Sequence, residues 1–321
     1  MIKRIGVLTT GGDAPGMNTA IRAIVRTAIY NGIKVNGVIR GFAGLINGEI
    51  VDMDLKSVSG IINRGGTILR TVRCPEFKKK SYRKIAMNQI KYHKLDGLVV
   101  IGGNGSLHAA RTIVNESNTP VIMVPATIDN DVPLTDFTIG FDTAVNTAQD
   151  CIDKIRDTAA SHERVFIVEV MGREHGFIAL EVGLTSGAEI ILIPEVKFTI
   201  RKLCEKLKAG LDRGKLSSIV VMAEGAGDSR EMEKQIKRKM KIDVRVTVLG
   251  HIQRGGSPTA LSRKYACKLG AAAVELLIKG ERNKMVGIKD DKVVNFDIEE
   301  VIKHKKTIDL SDYKLAEILA I

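Results

Sequence analysis

The chain has 321 residues, a formal net charge of +12, 44% hydrophobic and 4% aromatic content, and no tryptophan. That length exceeds one typical core and points to two packed lobes, and the aliphatic-rich, aromatic-poor composition suits parallel strands buried on both faces. No apolar run approaches membrane-spanning length, the first residues read as a strand rather than a signal segment, and Cys74, Cys151, Cys204 and Cys267 are too dispersed for a zinc site or redox motif, so a soluble cytoplasmic protein with reduced thiols is expected.

In chain order, Ile5-Gly6-Val7-Leu8-Thr9-Thr10 reads as a buried parallel strand that breaks at Gly11-Gly12-Asp13-Ala14-Pro15-Gly16. Pro15 suits a first helical turn, and Met17, Ile21, Ile24, Val25 and Ala28 recur at helical spacing, which predicts a helix near 16–32. Glycines at 11 and 12 let backbone N–H groups approach an anion, with the positive end of a helix dipole behind them. The same Gly-Gly turn also occurs in α/β proteins that bind no nucleotide. After a strand near 35–39 and a helix near 82–93, Leu98-Val99-Val100-Ile101 followed by Gly102-Gly103-Asn104-Gly105-Ser106 repeats the pattern of strand, glycine turn and helix.

A strand near 120–124 then leads to Thr127-Ile128-Asp129-Asn130-Asp131. Two carboxylates just past a strand end can supply a general base and a cation-linked charge, because open α/β sheets bind ligands outside the carboxyl ends of their strands. The alternative is an Asp/Asn turn whose side chains bond only to nearby backbone.

Beyond a helix near 140–160, strands are predicted near 165–170, 188–193, 218–223 and 243–249, with helices near 198–212 and 258–279. Met171-Gly172-Arg173, Glu224-Gly225 and His251-Ile252-Gln253-Arg254-Gly255-Gly256 follow apolar segments. The alternation implies mostly parallel sheets. Basic residues are dense only around Lys78-Lys79-Lys80 and Lys234–Lys241 and carry no interleaved aromatics, so the positive charge reads as attraction for anionic metabolites rather than for nucleic acid.

The segments GGDAPGMN (11–18), RGGT (64–67), TIDND (127–131), RDTA (156–159), MGR (171–173) and VLGHIQRGGSP (248–258) together resemble the short bacterial type of ATP-dependent 6-phosphofructokinase, over nearly the whole chain. The resemblance implies the phosphofructokinase fold: α/β, two Rossmann-like lobes with mostly parallel sheets flanked by helices. The larger, ATP-binding lobe would comprise 1–139 plus 252–305, and the smaller, fructose 6-phosphate-binding lobe 140–251 plus 306–321. The implied reaction is γ-phosphoryl transfer from MgATP to the 1-hydroxyl of fructose 6-phosphate in glycolysis. The alternative is a noncatalytic or regulatory paralogue that binds sugar phosphate or nucleotide.

By the same resemblance, Asp129 is the base, Asp131 lies near the metal or orients Asp129, and Thr127, Arg173 and Gly12 complete the catalytic set. Gly12, Arg73, Cys74, Gly103, Asn104, Gly105 and Ser106 would bind nucleotide. Thr127, Asp129, Arg164, Met171, Gly172, Arg173, Glu224, Arg245, His251 and Arg254 would bind the sugar phosphate, with Arg164 and Arg245 reaching it from a neighbouring subunit of a homotetramer. Arg22, Arg26, Arg156, Arg213 and Lys215 would bind the effectors ADP or phosphoenolpyruvate. No nucleic-acid or membrane partner is implied.

Several residues depart from the family pattern. Asn104 stands where an aspartate usually serves Mg²⁺, which puts a neutral amide at the expected metal position and implies a weakened site. Ala126, Thr10 and Phe177 replace a usual glycine, serine and aspartate, and Leu55 and Gly60 replace an effector-site arginine and aspartate. Pyrophosphate-using relatives typically carry aspartate and lysine where Gly105 and Ala126 stand, so Gly105 favours ATP as the donor.

Overall fold

The structure, a computed structural model, describes residues 2–320 and divides into two compact units. One comprises residues up to 143 together with 254–306; the other comprises 144–253 together with residues from 307 onward.

In the first unit the strands run in the order Lys292–Asp297, Lys284–Lys289, Val121–Thr127, Gly97–Gly102, Arg4–Thr9, Lys34–Val38 and Ile50–Met53, with the short strand Ile139–Gly140 paired to Val121–Thr127. The interior pairs are parallel, and only the outermost strands at the two edges pair antiparallel. Strands covered by helices on both faces need apolar side chains in both directions, which is why Gly97–Gly102 is buried at every position. Leu8, Val38, Leu98, Val100 and Met123 join Phe42, Phe77, Leu107 and Ile113 in one core cluster, in which the rings of Phe42 and Phe77 stack at 4.4 Å.

The helix Met17–Tyr30 buries Met17, Ile21, Ile24, Val25 and Ala28, and packs against Ala260–Ile278, whose first turn is capped by Thr259 accepting from the Ser262 N–H. Arg4–Thr9 lies between Gly97–Gly102 and Lys34–Val38. The chain leaves Arg4–Thr9 toward one edge of the sheet and later leaves Gly97–Gly102 toward the other, so strand order reverses between these two neighbours. A crevice outside the carboxyl ends of such a pair is where open α/β sheets bind ligands.

The second unit holds four parallel strands in the order Val244–Val248, Val165–Val170, Ser218–Ala223 and Ile190–Leu192. Their core joins Ile167, Leu192, Val220 and Met222 to Leu203 and Leu207 of the helix Ile200–Asp212 and to Met232 and Ile236 of Ser229–Met240. Thr199 and Asp228 cap these helices by accepting first-turn N–H groups. The helix Leu310–Leu319 is docked by the Tyr313 hydroxyl, which donates to the Ile191 carbonyl at 3.1 Å.

Several elements arise where the sequence pattern predicts none: the helices Gly41–Asn47, Phe177–Thr185, Ser229–Met240 and Ile298–Lys303, and the strands Ile50–Met53, Lys284–Lys289 and Lys292–Asp297. Among the described residues no helix is long and apolar enough to cross a membrane.

Candidate active site

The two glycine turns meet at the point where strand order reverses. The Thr10 N–H donates to the Ile101 carbonyl at 2.9 Å, and the Ser106 hydroxyl donates to the Thr10 carbonyl at 3.2 Å. A Cβ at Gly102 would lie 2.5 Å from that same Thr10 oxygen, so the approach of the two turns requires glycine there. The helices Met17–Tyr30 and Asn104–Glu116 begin just beyond these turns, so the positive ends of their dipoles lie there. The segment carrying Arg73 and Cys74 is tied to the same place, since the Thr71 hydroxyl donates to the Gly11 carbonyl at 2.8 Å. Arg73 is exposed, and burial pushes the Cys74 thiol up.

The carboxylate loop follows the adjacent strand Val121–Thr127. Asp129 is only 2% exposed, and its N–H donates to the Thr127 hydroxyl at 3.2 Å. Asn130, whose φ is 51°, uses its side chain as a brace: Nδ2 donates to the Asp136 carbonyl at 3.0 Å and Oδ1 accepts the Thr138 N–H at 3.0 Å. The Thr138 hydroxyl closes the brace by donating to the Thr127 carbonyl at 2.6 Å. An Asp/Asn turn is therefore present, but its bonds are made by Asn130 and Thr138. Asn104 Nδ2 donates to the Asp131 main-chain oxygen at 3.1 Å and to its Oδ2 at 2.8 Å. Lys306 donates to the Asp136 carbonyl at 2.9 Å; burial pushes its ammonium down to about 8, against the pull of the Asp136 and Asp131 carboxylates.

Arg254 reaches this cradle as well. Its Nη1 donates to the Asp13 carbonyl at 3.1 Å, and its guanidinium lies over Gly12 so closely that a Cβ there would collide with Nη1. Asn18 holds the neighbouring loop by donating to the carbonyls of Arg64 and Gly65 and accepting the Ile68 N–H. The first unit thus gathers Gly12, Gly103, Asn104, Gly105, Ser106, Thr127, Asp129, Asp131 and Arg254, with Arg73 and Cys74 on the tethered segment beside them.

The second unit gathers the remaining strand-tip candidates. Glu224 Oε1 accepts the N–H groups of Gly172 at 3.2 Å and Arg173 at 2.7 Å, and Gln253 Oε1 accepts the Met171 N–H at 2.9 Å. Glu224 therefore shapes the Met171–Arg173 turn in addition to any contact it makes with a ligand. Arg173 sits in left-handed backbone, with φ 54°, and is exposed, as is His251 in the turn Gly250–Arg254. Arg164 and Arg245 share one carboxylate: Asp243 Oδ2 lies 2.6 Å from Arg164 Nε and 3.3 Å from an Arg245 guanidinium nitrogen.

Of the effector candidates, Arg156 and Lys215 converge on Glu189, each 3.6 Å from its Oε1, and Arg156 also donates to the carbonyls of Ser186 and Gly187. Lys215 and Arg213 line a cavity of about 190 Å³ with Glu189, Lys206 and Glu317. Arg22 and Arg26 lie on the helix Met17–Tyr30 of the first unit, one half-buried and one exposed.

Among the described residues no group of three or more His, Cys, Asp or Glu is arranged to hold a metal with protein ligands alone. Two carboxylates beside a pair of glycine turns would suit Mg²⁺, an ion that keeps several waters and is usually held largely by substrate phosphates. Asn104, expected at the metal position, instead turns its amide nitrogen toward Asp131.

The comparisons with known proteins agree with one another. The description of phosphofructokinase matches residues 4–277. The chain belongs to the phosphofructokinase family. It is 53% identical over 321 residues to an ATP-dependent 6-phosphofructokinase of Thermoanaerobacter sp. (strain X514), with 100% of each chain covered, and 54% identical over 320 residues to one of Bacillus cytotoxicus, again with full coverage of both. Among solved structures it resembles the T-state phosphofructokinase of Pichia pastoris, with a TM-score of 0.89 and 34% identity, covering 99% of this chain but only 39% of that much longer one. A pyrophosphate-dependent phosphofructokinase from Marinobacter aquaeolei shares the fold at a TM-score of 0.87 and 24% identity, covering 97% of this chain and 86% of that one. In this phosphofructokinase chain Asn18, Asn130 and Thr138 brace the loops of the first unit and Gln253 braces the Met171 turn of the second, roles that no sequence pattern assigns. Asn18, Asn130 and Gln253 fall inside the recognisable segments at 11–18, 127–131 and 248–258, which is the available signal; Thr138 falls in none.

Proposed function

We propose that this chain transfers the γ-phosphoryl group of ATP to the 1-hydroxyl of fructose 6-phosphate, giving fructose 1,6-bisphosphate and ADP, as a glycolytic kinase of the cytoplasm. The observation that carries this reading is the meeting of two glycine turns and a buried carboxylate loop at the point where one parallel sheet reverses its strand order. Such turns suit a polyphosphate, and Gly12, Gly103, Asn104, Gly105 and Ser106, with Arg73 and Cys74 beside them, are assigned to nucleotide.

A primary alcohol is a poor nucleophile at neutral pH, and Asp129 takes the proton that it loses on attack. The Asn130 and Thr138 brace fixes the backbone on either side of Asp129, which limits the reorganisation that accompanies proton transfer. Thr127, Gly12 and Arg173 are assigned as donors to the transferring phosphoryl oxygens, where charge develops most. Asp131, with Asp129 beside it in sequence, is the side chain suited to hold Mg²⁺, which when bound neutralises phosphate charge. Arg164, Arg245, His251 and Arg254 are assigned to the sugar phosphate, for which the planar arginine fork is well shaped, and Met171, Gly172 and Glu224 to the sugar body. A homotetramer, with Arg164 and Arg245 serving a neighbouring subunit, and regulation by ADP or phosphoenolpyruvate through Arg22, Arg26, Arg156, Arg213 and Lys215 complete the proposal.

The test is a coupled steady-state assay of wild type and Asp129→Asn with fructose 6-phosphate, Mg²⁺ and either ATP or pyrophosphate. Turnover with ATP that falls roughly 10²–10⁴-fold in the variant, with sugar phosphate still bound, is expected. Tight binding without turnover in the wild type, or turnover with pyrophosphate alone, would refute the reading.

A further inference from the structure

Asn104 opens the helix Asn104–Glu116, and its amide nitrogen donates twice to one residue of the neighbouring carboxylate loop, to the Asp131 main-chain oxygen and to its Oδ2. Both partners are acceptors. Only the nitrogen end of the amide can face them, since a carboxamide oxygen turned that way would oppose two lone-pair-bearing oxygens. The two hydrogens of one amide group thus join the first residue of a helix to the last residue of the Thr127–Asp131 loop.

A carboxylate at position 104 in the same place would set an oxygen about as far from Asp131 Oδ2 as the amide nitrogen now lies, at 2.8 Å. Two carboxylate oxygens at hydrogen-bonding distance repel unless a proton or a cation sits between them. The amide satisfies the same acceptors with hydrogens that it already carries. Lys306, close enough for the Asp131 and Asp136 carboxylates to act on its ammonium, adds a positive charge from within the chain.

We infer that Asn104 is a positioning residue that latches the Asp131 loop to the adjacent helix without any bound cation, in the place where a carboxylate would require one. The amide thus ties the loop to the helix with hydrogens of its own, and position 104 offers a free divalent cation no second carboxylate beside Asp131. The inference deepens the kinase reading by describing how the same site handles its cation. It rests on intramolecular geometry, so its test is separable from turnover.

The experiment compares wild type, Asn104→Asp and Asn104→Ala as purified full chains without nucleotide, by thermal unfolding in EDTA and in excess MgCl₂ and by calorimetric titration with MgCl₂. Wild type is expected to melt at the same temperature in both solutions and to give no binding heat. Asn104→Asp should melt a few degrees lower in EDTA, recover in MgCl₂ and bind the cation. Asn104→Ala, which loses the latch but adds no charge, should melt lower in both solutions alike, a pattern that a generally weakened fold in Asn104→Asp would copy. Wild type that is stabilised by MgCl₂ as strongly as Asn104→Asp, or Asn104→Asp that is indifferent to the cation, overturns the inference. Should Asn104→Asp not fold, the wild-type titration and the Asn104→Ala melts still decide, because binding heat from wild type or an unchanged Asn104→Ala melt is fatal. Loss of the kinase reading alone would show as absent wild-type turnover with these melting patterns intact.

Discussion

Gly12 lies beneath the guanidinium of Arg254, with Arg254 Cζ only 3.1 Å from where a Cβ on residue 12 would stand. A glycine of the phosphate cradle and an arginine assigned to the sugar phosphate thus occupy one small volume. The obstacle to a side chain at 12 is the end of a flexible one, so Gly12→Ala should fold normally and displace Arg254 from the Asp13 carbonyl. We expect the variant to raise the KM for fructose 6-phosphate and lower kcat, together about 10–100-fold in kcat/KM, the range for a misplaced positioning group. Unchanged kinetics would show that Arg254 is free to adjust and that the contact is incidental.

Asp243 gives a second, opposite expectation. A single carboxylate holds both Arg164 and Arg245, and a sugar phosphate bound by them as proposed would have to take these cations from it. The pair is partly exposed, and ion pairs of that kind contribute about 0.2–1 kcal/mol. Asp243→Asn should therefore tighten fructose 6-phosphate, lowering its KM by about 2–5-fold, with little change in the KM for ATP. A weaker KM for the sugar would mean that Asp243 orients the arginines rather than competing for them.

The central strands are more legible in the sequence than the scaffold edges are. Arg4–Thr9, Gly97–Gly102 and Val165–Val170 announced themselves as apolar runs ending in glycine or in Met-Gly-Arg, because a doubly covered strand leaves no polar face to blur the pattern. Phe177–Thr185 is hidden for the same reason turned around: a helix apolar on nearly every side has no 3.6-residue stripe to detect. Ser229–Met240 failed differently, since only Met232 and Ile236 of its larger apolar side chains are buried and its charges read as a basic cluster. The hairpin of Lys284–Lys289 with Lys292–Asp297 turns on Asp290 and Asp291, both in left-handed backbone, and Asp-Asp is a weaker turn signal than Asn-Gly or Asp-Gly. At the site, the residues of long segments such as TIDND could be assigned from resemblance. The amide latch of Asn104 and the shared carboxylate of Asp243 depend on side-chain direction between element ends and loops far apart in sequence, which no local pattern encodes.

Arg156 tests the regulatory assignment. It donates to the carbonyls of Ser186 and Gly187 and lies by Glu189, the same carboxylate approached by Lys215 beside the cavity that Arg213 also lines. An anionic effector entering there would compete with Glu189 for these cations. Arg156→Ala should weaken the response to ADP and phosphoenolpyruvate by about tenfold in half-saturating concentration, the loss expected of one charge-assisted contact, while leaving basal turnover within about twofold. Effector curves that superimpose on those of wild type would remove Arg156 from the site.

Lys306 makes stability depend on pH in an unusual direction. Burial holds its ammonium at about 8, below the ordinary 10.5, although the Asp136 and Asp131 carboxylates pull it upward. Below pH 8 the lysine is charged in folded and unfolded chains alike, and the folded chain bears the cost of burying that charge. Between pH 8 and 10.5 the folded chain releases its proton first, the unfolded chain binds more protons, and stability rises with pH. Lys306→Met lacks this term. Wild type should therefore gain stability relative to Lys306→Met across that interval, by at most about 3 kcal/mol, before other groups that both proteins share are counted. Urea unfolding of the two chains at a series of pH values from neutral to about 10 reads the difference directly, since groups common to both cancel. Parallel profiles would mean that the Lys306 ammonium is solvated in the folded chain, and that the positive charge beside Asp131 is weaker than its placement implies.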